Sequence, residues 1–229
     1  MLRIISLIFK TYRMKTGLKI RLLFVFFTLA CTVNAQIYRL EVGYNNPVRL
    51  GSNVSSIYFN GIKLGGTAEI DMKNNFSLLT GVLYNFVYSY KVQNYPSLAA
   101  VKYETQGLFM NFPVHVNYSY PISKTIRAFG FAGPTLNLGL YQNLKITSTQ
   151  TYLPSNPLYV KPRTIDVYNG NDPVYQLNRL NLQLGGGGGV QWKKYQIKAG
   201  YDFGLNNLNK IDTNKLYQGG WYVSLSYSF

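Results

Sequence analysis

The sequence has little cysteine, histidine or charge. Among 229 residues there are one Cys and one His, and 14% of the residues are charged. A single Cys excludes an internal disulfide framework and a four-cysteine zinc site, and a single His excludes a histidine-cluster metal site. We therefore expect no metal and no cofactor. Aromatic residues make up 16% of the chain, which excludes a largely disordered protein, because disordered chains are poor in aromatics and rich in charge.

Long apolar runs and acidic residues are also scarce. No segment after residue 35 reaches 18 consecutive apolar residues, so no transmembrane helix is predicted there. Eight Asp and Glu stand against 23 Lys and Arg. Six of these basic residues lie in the first 35, which leaves 17 basic against 8 acidic residues, a net charge of +9. The basic residues are scattered rather than clustered with stacking aromatics, so we expect no nucleic-acid partner.

The segment 1–35 is typical of a secretory signal peptide. Basic residues precede an apolar run at 22–30, and the small residues ending at Ala35 fit a cleavage site. The apolar run is shorter than the roughly 20 residues that cross a bilayer as a helix. We expect cleavage after Ala35 and a true start at Met14. Lipidation at Cys31 and an uncleaved membrane anchor are the alternatives.

After residue 36 the dominant pattern is alternation of apolar and polar residues, which is typical of strands with two unlike faces. At the C-terminus one face carries Trp221, Val223, Leu225, Tyr227 and Phe229, and the other carries Tyr222, Ser224, Ser226 and Ser228. The same period occurs at 37–44, 63–72, 76–90, 107–118, 126–140, 179–192 and 196–205. The sequence therefore predicts eight strands.

The connections between these strands alternate between long and short. Long loops are predicted at 45–62, 91–106, 141–178 and 206–218, and short turns at 73–75, 119–125 and 193–195. Up-and-down barrels of outer membranes have short periplasmic turns and longer outer loops. The predicted fold is all-β: an eight-stranded antiparallel up-and-down transmembrane β-barrel over 36–229, in the cell outer membrane, with both mature termini in the periplasm.

Two observations indicate that the apolar face meets lipid. The polar face is rich in Gly, Ser and Asn, whereas a strand face in water usually carries many charges. Aromatic residues gather toward the strand ends, as they do in the girdles at the two membrane interfaces. A soluble lipocalin-like barrel, with its apolar face inside, is the alternative. In that case Leu225, Phe203 and Val116 would face one another across the barrel axis.

The polar face also carries charges of both signs. Side chains just fill the interior of an eight-stranded barrel, and buried charges need partners. We therefore predict a salt-bridged plug in the lumen, with a small ion path as the alternative. The predicted lumen charges are Arg39, Glu41, Lys63, Glu69, Asp71, Arg127, Arg179, Lys198 and Asp202.

His115 and the five glycines from Gly185 to Gly189 are the remaining candidates for chemistry. His115 is either a catalytic base, as in barrel hydrolases that pair His with Ser and an acid, or a hydrogen-bonded lumen residue. We favour the second interpretation, because His115 precedes a short turn and is far from the outer rim. A phosphate-binding loop needs Lys and Ser or Thr after its glycines, which this run lacks. We expect strand glycines that permit a bend or close packing, and no catalytic residue.

The predicted loop 141–178 is the longest irregular stretch, and it contains several Tyr and Pro residues. Loops longer than about 15 residues are usually functional or disordered. Aromatic loops stiffened by Pro bind partners at low ordering cost. We predict that this loop contacts an envelope protein, with plain disorder as the alternative.

Three stretches of the sequence resemble the PorT-like outer-membrane β-barrel domain proteins of Gram-negative bacteria. They are 106–118 with its central Pro113 and closing Tyr118, 199–208 with its Tyr and Gly-Leu-x-Asn, and the terminal strand 221–229. The last resembles the strand that the barrel-assembly machinery recognises, with Trp221, Val223, Leu225, Tyr227 and Phe229 on one face.

This resemblance implies an integral barrel surrounded by outer-membrane lipid, with the assembly machinery as its partner during biogenesis. It further implies a structural or protein-binding role in an export or envelope-assembly complex. The alternatives are a small pore, an outer-membrane lipid or peptide hydrolase, and a soluble lipocalin-like binder.

Overall fold

The computed structural model describes residues 37–51, 56–95, 98–148, 161–169, 175–211 and 214–229. The predicted signal peptide, with its alternatives at Met14 and Cys31, lies outside these residues. The strands are β1 (Ile37–Gly51), β2 (Ile57–Tyr58), β3 (Asn60–Asp71), β4 (Phe76–Tyr95), β5 (Leu98–Pro121), β6 (Ile126–Ser148), β7 (Arg163–Asp166), β8 (Leu180–Trp192), β9 (Tyr195–Gly204) and β10 (Leu216–Ser228). In the described ranges, no helix has the length and apolar character needed to cross a bilayer.

Eight of the ten strands close into one antiparallel barrel. Their order around the ring is β10, β9, β8, β6, β5, β4, β3 and β1, and β1 pairs with β10 to complete it. Two short strands lie outside this ring: β2 pairs with β1, and β7 pairs with β6. Closure gives each barrel strand two hydrogen-bonded neighbours, as a chain in lipid requires. The predicted eight-stranded barrel is therefore confirmed.

The side chains alternate between the outside of the barrel and its lumen. Leu225, Phe203 and Val116 are 47%, 63% and 46% exposed and point outward. Their polar neighbours Ser226 and Asn117 are buried inside. This confirms the predicted orientation and excludes the lipocalin-like arrangement, because the apolar residues of the alternating pattern point outward.

The two ends of the barrel differ. At the short-turn end lie both the start of β1 and the end of β10, together with the turns 72–75, 122–125 and 193–194. Asn74 and Asn75 have φ angles of 61° and 64°, a conformation that Asn adopts more readily than other non-glycine residues and that a two-residue hairpin turn requires. The other end, called the long-loop end, holds the remaining connections.

Outward aromatic residues mark both ends of the apolar band. At the short-turn end the ring centres of Tyr195 and Tyr227 are 5.3 Å apart, and toward the long-loop end those of Tyr44 and Trp221 are 5.4 Å apart. Along β9, strand rise and tilt place Tyr195 roughly 20 Å from Phe203 on the barrel axis. This spacing agrees with the height of the lipid-facing band of outer-membrane barrels.

Three strands run further than predicted. β4, β5 and β6 have 20, 24 and 23 residues, whereas about 9–11 residues cross a bilayer. The predicted loop 91–106 is therefore wrong, because most of it is ladder: β4 and β5 stay paired as far as Gln93 and Val101. Lys102 and Glu104 on β5 interrupt the apolar alternation without ending the hydrogen bonding, since strand pairing does not require an apolar face.

The predicted loop 141–178 is also only partly irregular. It begins with the end of β6 and contains β7, whose residues pair with Asn143 to Ile146. Beyond the last β3–β4 pair, Asn60 with Tyr88, these strands form a sheet that continues past the barrel wall. We call it the extension; it comprises residues 89–95, 98–105 and 144–148 together with β7.

Candidate functional site

A buried ion network occupies the middle of the lumen. Glu41 on β1 is fully buried, and its Oε2 lies 2.7 Å from Lys198 Nζ on β9. Its Oε1 lies 3.3 Å from Lys63 Nζ on β3 and accepts a hydrogen bond of 2.9 Å from the Ser224 hydroxyl. The Lys63 ammonium also lies 3.5 Å from the centre of the Tyr222 ring. The Glu41 carboxylate thus links β1 to β3, β9 and β10 through the barrel interior.

A second ion pair lies nearer the short-turn end. Arg39 contacts the Glu69 carboxylate, and the two side chains are 1% and 7% exposed. Ser77 donates a hydrogen bond to the same carboxylate, and Asn117 Nδ2 donates a longer one of 3.4 Å. The partners come from β1, β3, β4 and β5, so this pair shares β1 and β3 with the Glu41 network and adds β4 and β5 to the linked strands.

The structure does not bring all the predicted lumen charges together. Asp71 and Arg127 are exposed, and they line a cavity of about 250 Å³ that opens at the short-turn end and also contacts Arg39 and Glu69. Asp202 is buried and lines, with Lys63, a smaller cavity of about 30 Å³ in the middle of the lumen.

The placement of Arg179 in the lumen network is wrong. Its guanidinium donates hydrogen bonds to the carbonyls of Gly139 and Leu140 at 3.0 and 2.7 Å, and lies 4.8 Å from the centre of the Tyr168 ring. The pairing of β6 with β8 ends at Leu138 and Leu180. Beyond that point β6 pairs with β7 instead, so the alternation that predicts a lumen position no longer applies.

A layer of amide side chains lies on the long-loop side of the ion network. Asn45 donates to Asn85 at 3.2 Å, and Asn137 donates to Asn111 at 2.6 Å. All four line the 30 Å³ cavity, which has room for about two water molecules. This cavity is too small for a solute, so the barrel is filled at this height.

Three aromatic residues are buried in the lumen: Tyr222 was predicted on the polar face, whereas Phe129 and Phe131 were not assigned to a face. Phe129, Phe131 and Tyr222 form a small cluster inside the barrel, with ring centres 6.3 and 6.5 Å apart. The sequence contains a signal for two of them, because Phe129 and Phe131 share the parity of Thr135. Because that face of β6 then carries both apolar and polar residues, the pattern did not decide whether it points to the lumen or to lipid.

The glycine run explains how the lumen holds these rings. Gly187 and Gly189 face inward on β8, and a Cβ atom placed on them would lie 2.7 Å from Phe131 Cζ and 2.6 Å from Phe129 Cζ. A Cβ on Gly185 would likewise meet the Asp202 carboxylate. These glycines therefore serve close packing, in agreement with the structural interpretation of the sequence.

His115 lies in the same region of the lumen. Its Nε2 is 3.0 Å from the Thr135 hydroxyl, and its ring stacks on Phe131 with centres 5.3 Å apart. The side chain is buried. Both contacts hold the imidazole in place, and neither supplies a nucleophile paired with an acid.

An apolar cluster covers the lumen at the long-loop end. We call it the cap; its buried residues are Phe59, Val87, Val101, Phe109, Leu144, Ile146, Ile165, Val167, Tyr168, Leu177 and Leu208. Arg49 lies at its lower boundary, where the guanidinium donates to Gln218 and Gln142 at 2.6 Å each and lies 5.0 Å from the Phe59 ring centre. The sequence did not predict the cap, because most of its members come from segments that were predicted as loops; only Val87 and Phe109 lie in predicted strands.

Asp166 shapes the chain that carries the cap residue Tyr168. Its carboxylate accepts hydrogen bonds from the N–H groups of Tyr168 and Asn169 at 2.9 and 3.2 Å, and from the Asn169 side chain at 2.9 Å. Slight burial alone would raise the pKa of Asp166, but these hydrogen bonds outweigh it and hold the pKa below its usual value. The carboxylate is therefore ionised at neutral pH, as this turn requires.

In the part of the chain that the structure describes, no group of three His, Cys, Asp or Glu residues could hold a metal ion. The expectation that the protein needs no metal and no cofactor remains a prediction.

Three solved structures are among those similar to this chain. The chain is similar in structure to the attachment invasion locus protein Ail of Yersinia pestis, with 14% identity over 84% of this chain and 98% of that chain and a TM-score of 0.35. Neisserial surface protein A matches with 12% identity over 84% and 97% and a TM-score of 0.40. The N-terminal β-barrel domain of Pseudomonas aeruginosa OprF matches with 11% identity over 82% and 97% and a TM-score of 0.31.

Among curated protein sequences, none matches this chain significantly. A family model described as outer membrane protein beta-barrel domain matches residues 30–210, which is most of the chain. Its match includes β1 to β9 of the structure described above. The chain therefore belongs to the outer membrane protein beta-barrel domain family.

Proposed function

We propose that this protein is a closed barrel that conducts neither ions nor solutes and that holds a protein-contact surface at its long-loop end. The observation that carries the proposal is the filling of the lumen at three successive heights. The ion network around Glu41, the amide layer and the apolar cap follow one another along the axis. A channel would need a continuous polar path, and the cap replaces that path with buried apolar side chains.

The extension supports the protein-contact part of the proposal. It is a hydrogen-bonded sheet beyond the lipid-facing band, so it presents side chains at low ordering cost. Tyr90 and Val92 are 50% and 41% exposed on it, and large exposed aromatics such as Tyr90 are enriched in protein interfaces. The partner surface thus includes β4 and β5 in addition to the segment 141–178.

The resemblance to PorT-like proteins leads us to propose an export or envelope-assembly complex as the setting. In this proposal both mature termini are periplasmic, because short turns face the periplasm in barrels of this kind. The outward residues Trp221, Val223, Leu225, Tyr227 and Phe229 of the last strand are then the recognition signal for the barrel-assembly machinery.

We further propose that the protein is not an enzyme. His115 is buried beneath the aromatic cluster and engages Thr135, so a lipid or peptide substrate has no path to its ring. Its neighbours within the lumen serve packing and charge neutralisation.

The first test is electrical. The protein reconstituted in a planar bilayer is expected to show no steady conductance, because the lumen is filled at the heights of Glu41 and Phe59. Fluorescence measures the density of inserted protein in the bilayer. A control protein inserted to the same density shows that an absence of conductance does not come from failed insertion. Steady conductance of the order of nanosiemens would refute the closed barrel and favour the small pore.

The second test concerns the partner. A photo-crosslinking amino acid placed at Tyr90 or Val92 in intact cells is expected to give one discrete protein adduct. The same amino acid at Leu225, which is exposed to a similar degree but lies in the lipid-facing band, should give lipid adducts only. A smear without a discrete adduct from the extension, or the same adduct from Leu225, would contradict the contact surface.

A further inference from the structure

Three exposed lysines lie together at the short-turn end. Lys193 and Lys194 form the turn between β8 and β9, and Lys124 lies in the turn between β5 and β6. The Lys193 N–H donates a hydrogen bond of 3.0 Å to the carbonyl of Thr125. This bond joins the two turns, so Lys124 is held beside the Lys193–Lys194 pair. We call these three residues the lysine patch.

Aromatic rings form the lipid-side border of the lysine patch. The Lys193 ammonium lies 5.5 Å from the centre of the Trp192 ring, and the Lys194 ammonium lies 5.8 Å from that of Tyr227. Tyr195 lies between these two rings, with centres 6.2 Å from Trp192 and 5.3 Å from Tyr227. Such rings occupy the membrane interface, and lysine stems that cross them carry their ammonium groups to the level of the lipid headgroups.

The protein does not neutralise the lysine patch. Across the described ranges, none of its three ammonium groups forms a salt bridge with a carboxylate. The exposed acid Asp71 at the same end lines the cavity that also contains Arg39 and Arg127. Among the described residues, these three positive charges therefore stand at the interface outside any salt bridge.

We propose that the lysine patch is a binding site for the phosphate headgroup of anionic phospholipids, of the phosphatidylglycerol class, in the leaflet that surrounds the short-turn end. Clustered Lys residues at a membrane surface attract anionic lipids over a distance of about the Debye length. The aromatic border positions the glycerol and upper acyl region of the same lipid. The site rests on the membrane location of the family, and not on the partner or the conductance discussed above.

Lipid selectivity in vesicles tests the site. The full-length mature chain is reconstituted in phosphatidylcholine, and spin-labelled phosphatidylglycerol is compared with spin-labelled phosphatidylcholine for association with the protein. We expect a preference for phosphatidylglycerol of about fivefold to tenfold at low salt. The preference should fall toward one in 0.5 M NaCl and in the variant K124Q/K193Q/K194Q. Because both leaflets have the same composition, the result does not depend on which end faces the periplasm.

The matched control removes the same charge elsewhere. K145Q/K161Q/K215Q replaces three exposed lysines near the long-loop end and should keep the preference. Both variants are checked for folding by urea unfolding, and exposed lysines are expected to tolerate the change. The proposal is overturned by equal association of the two labels with the wild type, or by an equal loss in both variants. It is also overturned if lipopolysaccharide competes for the site better than phosphatidylglycerol does, since the ligand would then be the outer-leaflet glycolipid.

Discussion

Replacing Glu41 with Gln is expected to lower the free energy of unfolding by about 3–5 kcal/mol, because it leaves two buried ammonium groups without their shared carboxylate. Glu41 is fully buried and contacts both Lys63 and Lys198. Gln has nearly the same size, so the expected loss is electrostatic rather than steric. Urea unfolding in lipid vesicles, followed by tryptophan fluorescence, measures it.

Glu104→Gln is the matched control, since it makes the same chemical change at an exposed ion pair. Glu104 lies 3.8 Å from Lys145, and the two side chains are 30% and 57% exposed. Exposed pairs contribute about 0–1 kcal/mol, so this variant should be close to wild type. Equal losses of unfolding free energy in the two variants would show that the burial of the Glu41 network does not increase the cost of removing its carboxylate charge.

A triple variant separates charge from packing. E41L/K63M/K198M removes the whole network and fills the space with apolar side chains, an exchange that is often neutral or stabilising for buried ion pairs. We expect it to recover most of the stability lost in E41Q. If it is no more stable than E41Q, the loss comes from shape rather than from unpaired charge.

The barrel could be predicted from the sequence because its two environments are chemically unlike. Lipid on one side and a narrow polar lumen on the other impose a period of two, and residues such as Leu225 and Ser226 follow it closely. The same contrast places Arg39, Glu41 and Lys198 inside. These positions depend only on local alternation, which a single sequence contains.

The cap and the extension could not be predicted, because the contrast between lipid and lumen imposes the alternation of apolar and polar residues. Outside the lipid-facing band this constraint is absent. On β5 the outward positions before Gln106 carry Lys102 and Glu104, although β5 still pairs with β4 there. The cap joins residues far apart in the chain, such as Phe59 and Leu208, and no periodicity encodes such a contact. Arg179 was misplaced for the same reason: its position depends on β7, which replaces β8 as the neighbour of β6.

Replacing Gly187 with Ala is expected to destabilise the barrel by about 1–3 kcal/mol, the usual cost of overfilling a packed interior. The added Cβ would lie 2.7 Å from Phe131 Cζ and 2.6 Å from the Gly200 Cα. Since the second contact is backbone, rotation of the Phe131 ring alone cannot relieve it. Urea unfolding in vesicles measures the change.

Gly130→Ala is the control for Gly187→Ala, because its added Cβ would meet only the Gly187 carbonyl at 3.8 Å, which is ordinary van der Waals contact. Gly130 points outward on the strand paired with β8, so the two variants share a chemical change and a neighbourhood and differ in the side of the barrel. Gly130→Ala should therefore be neutral or slightly stabilising, since Ala loses less backbone entropy than Gly on folding. If Gly187→Ala were equally neutral, the glycine run would not be needed for packing the lumen aromatics, and its close contacts with Phe131 would have to relax at no cost.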